Sequence, residues 1–402
     1  MFVTCLAFQD EVGGTALLFA SDTLSGADWM WEVVSKHTGI PEDHINISGS
    51  HTHAGPCVRP ERINEDKKWY LDFMGQRLVE AAKQAIDDCK AAAISVASVQ
   101  TQRMNFVRQY RMADGSYGNG SGDVKNIVAH ESEADHELQL VKFTREGGKD
   151  VILANFQAHQ TMTSGTNRTD LSADSCGAMR AKMERELDCH FIYFTGACGN
   201  VTPGSRIPGE ARFTNEQYVA HGEALADYAI AAENAYCPIK VGEIQTKRMK
   251  LDLPVDHSQD HLEGIARSIR DEWKRTGDNV RCGAMCKEVG LHSIYHAESI
   301  IDKLELGETY DLELNVMSIG ELGFVIADYE MYDTNGMFIK EHSPFEMTIV
   351  ATCSNDYRSY LPSAVAFEHG GYTVDRCRFK PGIGEEMAQR YVAELENLHN
   401  NP

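Results

Sequence analysis

Residues 48–56 read Ser-Gly-Ser-His-Thr-His-Ala-Gly-Pro, with His51 and His53 two positions apart. They follow a short apolar run at residues 45–47, which is typical of a buried strand. Residues i and i+2 of an extended chain point to the same side, so both imidazoles can face one spot. Neutral imidazole is the commonest protein ligand for transition metals. The pattern indicates a metal site, and two surface histidines after a strand are the alternative.

A third imidazole follows another apolar run. His159 comes shortly after residues 151–156 and is followed by polar Gln160 and Thr161. A catalytic zinc ion usually has three protein ligands and one position open to water. We therefore expect His159 to join the histidines of residues 48–56 at one metal site.

The composition excludes some classes of partner. The 402 residues include 38 basic and 60 acidic side chains, which give a formal net charge of −22. A nucleic-acid-binding protein needs a basic face, and the chain has no long basic run, so we expect no nucleic-acid partner. No stretch of about 18 apolar residues occurs, which predicts no stable membrane insertion. A small-molecule substrate is the expected partner, and homo-oligomerisation is left open.

The cysteines and the N-terminus bear on the compartment. Eleven cysteines are scattered singly, and only Cys282 and Cys286 lie close together. An odd number in a long chain favours reduced thiols over a disulfide framework. Residues 1–8 lack the basic start of a signal peptide and predict a strand. We expect a cytoplasmic protein, with an extracytoplasmic one as the alternative if the N-terminus is incomplete.

Helical and strand patterns alternate along the whole chain. Residues 2–8 and 15–20 flank a Gly-containing turn and predict a β-hairpin. No Pro- or Ser-rich linker and no repeat interrupts the alternation, which favours one large α/β domain over residues 1–402, with mixed β-sheets flanked by helices. Residues 105–134 show no sustained period and are expected to be functional or disordered. Residues 288–304 predict a single helix.

Five stretches occur in an order that resembles the neutral/alkaline non-lysosomal ceramidase family, whose members are zinc-dependent amidases. The stretches are SGSHTHAGP (48–56), NFQAHQT (155–161), LSADSCG (171–177), FTGACGNVTPG (194–204) and NDYRSYLPSAVAFEHGGYTV (355–374). The resemblance extends over about residues 2–374. It implies the fold of a neutral-ceramidase-like catalytic domain and a Zn²⁺ cofactor.

The resemblance also implies a set of zinc ligands. His51 and His159 match the two zinc-binding histidines of the family. The carboxylate ligand, counted back from a Ser-Pro-Phe, falls on Glu330, with Asp328 as its competitor. Tyr360 matches the tyrosine ligand of an Asn-x-Tyr-x-x-Tyr motif, and a buried structural tyrosine is the alternative.

Four further residues are implied at the reaction centre. His53 matches the catalytic histidine, and Tyr372, twelve residues after the tyrosine ligand, matches the residue that polarises the substrate carbonyl. Arg108 matches a substrate-contacting arginine, with Arg111 or a solvated loop charge as alternatives. Thr202 retains the hydroxyl of the family's Gly-Asp-x-Ser-Pro motif.

Asn200 departs from the family pattern, and the partners of the metal-bound imidazoles are suggested by no motif. Asn200 stands where the Gly-Asp-x-Ser-Pro motif has its acid, and N–H groups of that turn are expected to form an anion-binding nest, unless it is only a tight turn. A metal-bound imidazole needs a partner on its other nitrogen. Asp22 and Asp174 are our candidates for those partners.

The expected reaction is hydrolysis of an N-acyl amide bond by metal-activated water. Ceramidases carry a C-terminal immunoglobulin-like domain that this sequence lacks, and no apolar hairpin is evident, so we expect a substrate other than ceramide itself. Two alternatives stay open. One is a zinc-dependent hydrolase of an ester, lactone or glycan-derived substrate, and the other is a catalytically silent relative that only binds a ligand.

Overall fold

The computed structural model describes residues 1–119, 124–163, 170–211 and 215–401. Its strands are β1 Val3–Gln9, β2 Thr15–Ser21, β3 Ile45–Gly49, β4 Ala92–Gln100, β5 Phe106–Val107, β6 Tyr110–Met112, β7 Tyr117–Gly118, β8 Ile127–His130, β9 Glu137–Arg145, β10 Val151–Phe156, β11 His190–Thr195, β12 Val201–Thr202, β13 Cys237–Pro238, β14 Ile244–Pro254, β15 Thr309–Ile319, β16 Leu322–Ile326, β17 Glu330–Met331, β18 Met347–Ala351 and β19 Tyr360–Leu361. Its α-helices are α1 Asp28–Thr38, α2 Trp69–Asp87, α3 Asp174–Leu187, α4 Tyr218–Ala231, α5 Glu263–Thr276, α6 Asn279–Glu288, α7 Ile294–Leu306, α8 Asp333–His342, α9 Ala364–His369, α10 Tyr372–Asp375 and α11 Ile383–Asn400.

Three main β-sheets form the centre of the molecule. Their strand orders are β1-β2-β3, β11-β10-β9-β4-β13 and β14-β15-β16-β18. Each sheet is mixed, because β2–β3, β10–β11 and β16–β18 are parallel pairs among antiparallel ones. The predicted α/β class with mixed sheets is confirmed, and so is the hairpin of β1 and β2.

The sheets pack on one another through alternate residues of their strands. Leu18 of β2, Leu153 of β10 and Phe324 of β16 belong to one buried cluster to which all three sheets contribute. Side chains two positions apart point to one face of a strand, so the intervening residues face away from this cluster. The central sheets thus share one apolar core.

Helices cover the outer faces of the sheets. Helices α1 and α2 cover the three-stranded sheet, α3 and α4 the five-stranded sheet, and α8 and α11 the four-stranded sheet. Phe19 of β2, for example, is buried with Met30 of α1 and Leu78 of α2. The architecture is therefore a set of packed sheets between helical layers, as predicted. The assignment of all residues 1–402 to one catalytic domain stays a prediction.

Helices α5, α6 and α7 form a separate apolar cluster. Cys282 and Cys286 lie four residues apart on α6 and are both buried in it, which explains their close spacing without a metal. The prediction of one helix over residues 288–304 is wrong at its start, because α6 ends at Glu288. Gly290 then has a left-handed φ of 78°, and α7 begins at Ile294. The turn separates two helices where the apolar period suggested one.

Residues 105–134 are more regular than predicted. Strand β5 pairs with β12, and β6 lies between β7 and β8 in a small sheet. The buried amide of Asn105 donates to the carbonyl oxygens of Asp135 and Gln157, both at 2.7 Å. The segment is therefore fixed to the end of β10, although residues 120–123 lie outside the described part.

No helix within the described ranges is long and apolar enough to cross a bilayer.

A loop after β18 holds the end of β3 in place. The amide oxygen of Asn355 accepts from the Ile47 N–H at 2.9 Å, and the Asn355 N–H donates to the Ile47 oxygen at 2.8 Å. Gly26 packs against this contact, since a Cβ added there would lie 2.1 Å from the Ile47 oxygen and 2.5 Å from the Asn355 nitrogen. Only a glycine fits between the two backbones.

We predict that Gly26→Ala destabilises the fold by about 1–3 kcal/mol or more, because the added methyl group must displace two backbone segments. The free energy of unfolding, measured by urea denaturation, checks this. Gly283→Ala on α6 is the matched control, because a Cβ there has no neighbour within 4 Å. The control is expected to be neutral or to stabilise by up to about 1 kcal/mol. Equal stability of the Gly26→Ala and control variants would contradict the close approach.

Candidate metal centre

The ends of two strands bring His51 and His159 together. His51 follows β3, His159 follows β10, and both side chains are fully buried, at 0% exposure. Their ring centroids lie 4.6 Å apart. The backbone after β3 is also tied to the end of β11, since the Thr195 hydroxyl donates to the Ser50 oxygen at 2.7 Å. The two histidines that the sequence pattern associated therefore meet in the interior.

A carboxylate completes the cluster. Oε2 of Glu330 lies 2.8 Å from Nε2 of His159 and 3.5 Å from Nε2 of His51. Glu330 begins the short strand β17 and is itself 1% exposed. Burial works against its ionised form, but His51 and His159 hold the pKa of this carboxyl well below its usual range. The group is a carboxylate at neutral pH.

Backbone carbonyls fix the tautomers of both rings. Nδ1 of His51 donates to the Leu24 oxygen at 2.8 Å, and Nδ1 of His159 donates to the Cys198 oxygen at 2.6 Å. A carbonyl oxygen can only accept, so Nδ1 carries the hydrogen and Nε2 carries the lone pair in each neutral ring. Both lone pairs then point toward Glu330.

The expectation that Asp22 and Asp174 orient these rings is wrong. Asp22 accepts from Arg180 at 2.9 Å and from the Phe2 N–H at 2.7 Å. Asp174 accepts from the N–H and hydroxyl groups of Thr163, both at 2.8 Å. Main-chain oxygens take the place that we assigned to these carboxylates.

The three converging atoms fit a divalent cation. Nε2 of His51, Nε2 of His159 and Oε2 of Glu330 are all buried without a hydrogen-bond partner. Three acceptors meeting in a water-excluded spot repel one another unless a proton or a cation lies between them. In the absence of a cation, burial opposes the charging of His51, yet Glu330 outweighs it and raises the pKa of His51 to about 9. Two imidazoles and a carboxylate are a donor set that zinc accepts.

Strained backbone is concentrated at this centre. Seven non-glycine residues in the described part of the chain have positive φ, and four of them surround the cluster: His51 (64°), Cys353 (56°), Asn355 (61°) and Ser359 (75°). Such conformations cost free energy and persist where surrounding contacts impose them. At His51, the N–H bond to the Thr23 oxygen at 3.0 Å is one such contact.

Tyr357 contacts the cluster directly and was not singled out from the sequence. Its hydroxyl donates to Oε1 of Glu330 at 2.6 Å, which leaves Oε2 to face the histidines. The Glu330 N–H donates to the Ser359 oxygen at 2.8 Å. The Asn-x-Tyr-x-x-Tyr motif therefore supplies two tyrosines to this region, and its first tyrosine orients the carboxylate.

Tyr360 is brought beside Glu330 by a strand pair. Strands β17 and β19 are parallel, and Glu330 is paired with Tyr360. The Tyr360 ring stacks on the His159 ring at a centroid distance of 6.4 Å and an angle of 12°. Burial and the charge of Glu330 raise the pKa of the Tyr360 phenol well above its usual value. The hydroxyl accepts from Nη2 of Arg108 at 3.1 Å.

Arg108 is anchored by the turn before β12. Its guanidinium donates to the Gly199 oxygen at 2.8 Å, and its backbone N–H donates to the Asn200 oxygen at 2.9 Å. Arg111, the alternative, lies in β6 with its side chain exposed. The structure thus directs Arg108, and not Arg111, to Tyr360.

The same turn supports the cluster through its carbonyl groups. The Gly199 N–H donates to the Met331 oxygen at 2.7 Å, and the Val201 N–H donates to the Cys198 oxygen at 3.0 Å. These N–H groups are therefore not available for the expected anion nest. A Cβ at Gly199 would lie 2.6 Å from the Glu330 oxygen, so β17 and this turn approach each other closely.

His53 and Tyr372 lie toward solvent. His53 is exposed as a residue, and its ring centroid is 5.1 Å from that of His51 and 5.9 Å from that of His159. Desolvation of the ring, followed by the charges of His51 and His159, lowers the pKa of His53 to about 3. Tyr372 is 43% exposed and packs edge-on against Tyr360, with ring centroids 5.8 Å apart. Partial burial raises the pKa of its phenol.

Asn200 has a structural partner that accounts for the amide. Its side-chain nitrogen donates to Oδ1 of Asp333 at 2.7 Å, and its side-chain oxygen accepts from the Asp333 N–H at 3.0 Å. Both residues are buried. A carboxylate at position 200 would face the carboxylate of Asp333, so the amide is the better partner. Thr202 lies in β12 opposite Phe106, and a catalytic role for its hydroxyl stays a prediction.

Asp328 faces another part of the interior. Its Oδ2 accepts from the Glu313 N–H at 3.2 Å and lies 3.5 Å from Nε of Arg358. Glu330 is therefore the acidic residue of the 328–330 pair that reaches the histidines.

Two thiols also border the cluster. Cys198 and Cys353 are fully buried, and their sulfur atoms lie within 4.8 Å of each other and of a nitrogen of His51. Sequence spacing gave no sign of them, because the two cysteines are far apart in the chain.

Comparison with solved structures addresses the fold. Neither models of protein families nor curated proteins give a match. The crystal structure of neutral ceramidase from Pseudomonas aeruginosa superimposes with a TM-score of 0.70 at 15% identity, covering 98% of this chain and 68% of that one. The chain has the neutral ceramidase fold. A structure described as ceramidase complexed with C2 gives a TM-score of 0.70 at 14% identity, covering 98% and 69%. The fold predicted from five short motifs is therefore confirmed.

The buried carboxyl of Asp333 predicts a pH dependence of stability. Burial, partly offset by the Asn200 hydrogen bond, raises its pKa from 3.8 to about 6. A carboxyl with a higher pKa in the folded state stabilises the fold fully below pH about 4, and this contribution is lost as pH rises through about 6. Two pKa units correspond to about 3 kcal/mol.

We expect the unfolding free energy of the wild type, relative to Asp333→Asn, to fall by about 3 kcal/mol between pH 4 and pH 7. Urea denaturation of both proteins at several pH values measures this difference. A difference that does not change with pH would show that Asp333 has an ordinary pKa.

Proposed function

We propose that this chain is a zinc-dependent hydrolase that cleaves N-acyl amide bonds. The observation that carries the proposal is the convergence of three unpartnered acceptors, on His51, His159 and Glu330, in a water-excluded spot. The neutral ceramidase fold supports the same reaction class, since ceramidases are amide hydrolases. The positive charge of Arg108 is linked to the cluster through Tyr360, whose hydroxyl accepts a hydrogen bond from the Arg108 guanidinium.

His51, His159, Glu330 and Tyr360 would hold the zinc ion. The first three supply atoms that face one another, and Tyr360 is supported as the fourth by its pairing with Glu330 and its stacking on His159. Zinc bound there would polarise a carbonyl oxygen and lower the pKa of a coordinated water to about 7. The chain's own residues then position the substrate and move protons.

His53 is proposed to carry the proton. It is an exposed residue whose ring lies beside the two buried histidines, so it can exchange a proton with both the centre and the solvent. A neutral imidazole in this position takes a proton from the attacking water and delivers it to the leaving nitrogen. Its backbone N–H, which donates to the Gln160 oxygen at 3.0 Å, fixes the segment that holds it.

Tyr372 is proposed to donate to the substrate carbonyl oxygen. Its raised pKa keeps the phenol protonated at neutral pH, and its partial exposure makes it accessible to a substrate entering beside Tyr360. A donor directed at the oxygen where negative charge develops lowers the barrier to acyl transfer. Arg108 orients Tyr360 through its hydrogen bond. Thr202 lies in β12, directly after the turn that anchors Arg108.

The substrate class is an N-acyl amide, and ceramide itself is not the expected substrate. A catalytically silent relative is less well supported, because the change to Asn200 has a structural explanation in its bonds to Asp333. Cleavage of esters, lactones or glycan-derived substrates is the remaining alternative. An activity panel separates these outcomes.

We predict that the purified protein contains zinc and hydrolyses at least one N-acyl amide in a panel of amides, esters and glycosides assayed with and without a chelator. His51→Ala is expected to lose both the metal of this centre and turnover, because it removes a ligand. His37→Ala, which alters an exposed histidine bonded to the Val33 oxygen, is the control and is expected to keep both.

Tyr357→Phe gives a graded test of the same centre. Loss of its hydrogen bond to Glu330 is expected to weaken zinc binding by about 10–100-fold without abolishing the fold. Tyr70→Phe, whose hydroxyl contacts Met74 on α2, is the matched control. In the activity panel, full amide hydrolysis by His51→Ala would refute the proposal. If the protein cleaved only esters, and a chelator stopped that cleavage, the proposed substrate class would change from amides to esters.

A further inference from the structure

A second group of metal-binding side chains lies outside this centre, between α7 and α10. His292 precedes α7, His296 lies in its first turn, and Asp375 ends α10. Oδ1 of Asp375 is 3.0 Å from Nδ1 of His292 and 3.3 Å from Nδ1 of His296. The three residues therefore offer one ligand atom each, all within 4.8 Å of one another.

The hydrogen bonds of His296 direct a lone pair into this group. Its Nε2 contacts Oε1 of Gln259 at 2.8 Å, and an amide oxygen only accepts, so Nε2 carries the hydrogen. Nδ1 of His296 accepts a long hydrogen bond from the backbone N–H of His292 at 3.4 Å, which confirms the acceptor and which a bound ion would replace. Nδ1 of His296 and Oδ1 of Asp375 are thus two acceptors facing each other at 3.3 Å.

The spacing of these atoms suits a tetrahedral metal ion. Ligands about 2.1 Å from zinc in tetrahedral geometry lie about 3.4 Å from one another. The two distances to Asp375, 3.0 and 3.3 Å, are close to that value. Two imidazole nitrogens and a carboxylate oxygen form a donor set that zinc and its neighbours in the transition series accept. In the absence of metal, a hydrogen bond between Nδ1 of His292 and Oδ1 of Asp375 joins two of the three ligand atoms.

The site is built into the fold and open on one side. His296 and Asp375 are 5% and 4% exposed, whereas the His292 side chain is 56% exposed. The two buried ligands are held by packing, and the exposed ring gives an ion a route in and leaves a position for water. A metal ion can therefore bind without rearrangement of the core.

We propose that His292, His296 and Asp375 form a second site for a divalent transition metal ion, of which zinc is the representative, and that the ion ties α7 to α10. The proposal goes beyond the amide hydrolysis proposed above. Helix α10 is a single turn with Tyr372 at its start and Asp375 at its end. Tyr295 of α7 packs edge-on against Tyr372 at 5.8 Å. The bound ion would hold the turn that carries Tyr372.

Zinc stoichiometry tests the proposal. The full chain is stripped with a chelator, dialysed against buffer containing zinc and analysed by elemental mass spectrometry. We expect two zinc ions per wild-type chain and one per His292→Ala chain, since that exposed ring can be removed without disturbing the core. Asp375→Asn, which keeps the shape of the side chain, is expected to lose the same ion. His261→Ala, an exposed histidine on another segment, is the control and should retain two.

His51→Ala separates the two sites in the same assay. It is expected to bind one zinc ion, held by His292, His296 and Asp375, and its thermal unfolding temperature should still rise when zinc is added. The double variant with His292→Ala should bind none. Unchanged stoichiometry in both His292→Ala and Asp375→Asn would overturn the second site, as would a single wild-type ion that His51→Ala removes. A single ion that only His292→Ala removes would support the second site while refuting the first.

Discussion

Repulsion among three buried acceptors is the constraint on which the centre of this molecule depends. Two imidazole lone pairs and a carboxylate oxygen meet where water is excluded, and none has a hydrogen-bond partner. Such an arrangement is unfavourable unless positive charge is shared among them. The fold imposes this repulsion. Main-chain oxygens of Leu24 and Cys198 accept from Nδ1 of the two rings, which leaves the lone pair of each ring on Nε2, facing Glu330. A bound cation would replace this repulsion by coordination.

The surrounding structure keeps the acceptors in place by contacts between distant segments. Asn355 bonds to β3, which delivers His51, and the turn at Gly199 packs against the strand that delivers Glu330. The β17–β19 pair then sets Tyr360 beside Glu330, and Arg108 bridges Tyr360 to the turn. Positive-φ residues at the centre agree with this, since strained conformations persist where many contacts impose them.

The sequence could predict the parts of this account that depend on local pattern. His51 and His159 were associated because each follows an apolar strand, and five short motifs indicated the fold that the comparisons confirm. What failed depends on contacts between distant residues. The partners of the imidazoles are main-chain oxygens, which every residue possesses, so no side chain in the sequence marks them. Tyr357 was passed over because it is 27 residues away from Glu330 in the chain, and only the fold brings its hydroxyl to that carboxylate. Residues 105–134 show no sequence period because their short strands pair with distant segments such as β12.

The most direct measurement of the central claim is an anomalous difference map at the zinc absorption edge, from crystals of the zinc-loaded chain. We predict a strong peak at coordination distance from Nε2 of His51, Nε2 of His159 and Oε2 of Glu330. A map without a peak there, with the three atoms instead linked by a proton or an ordered water, would contradict it.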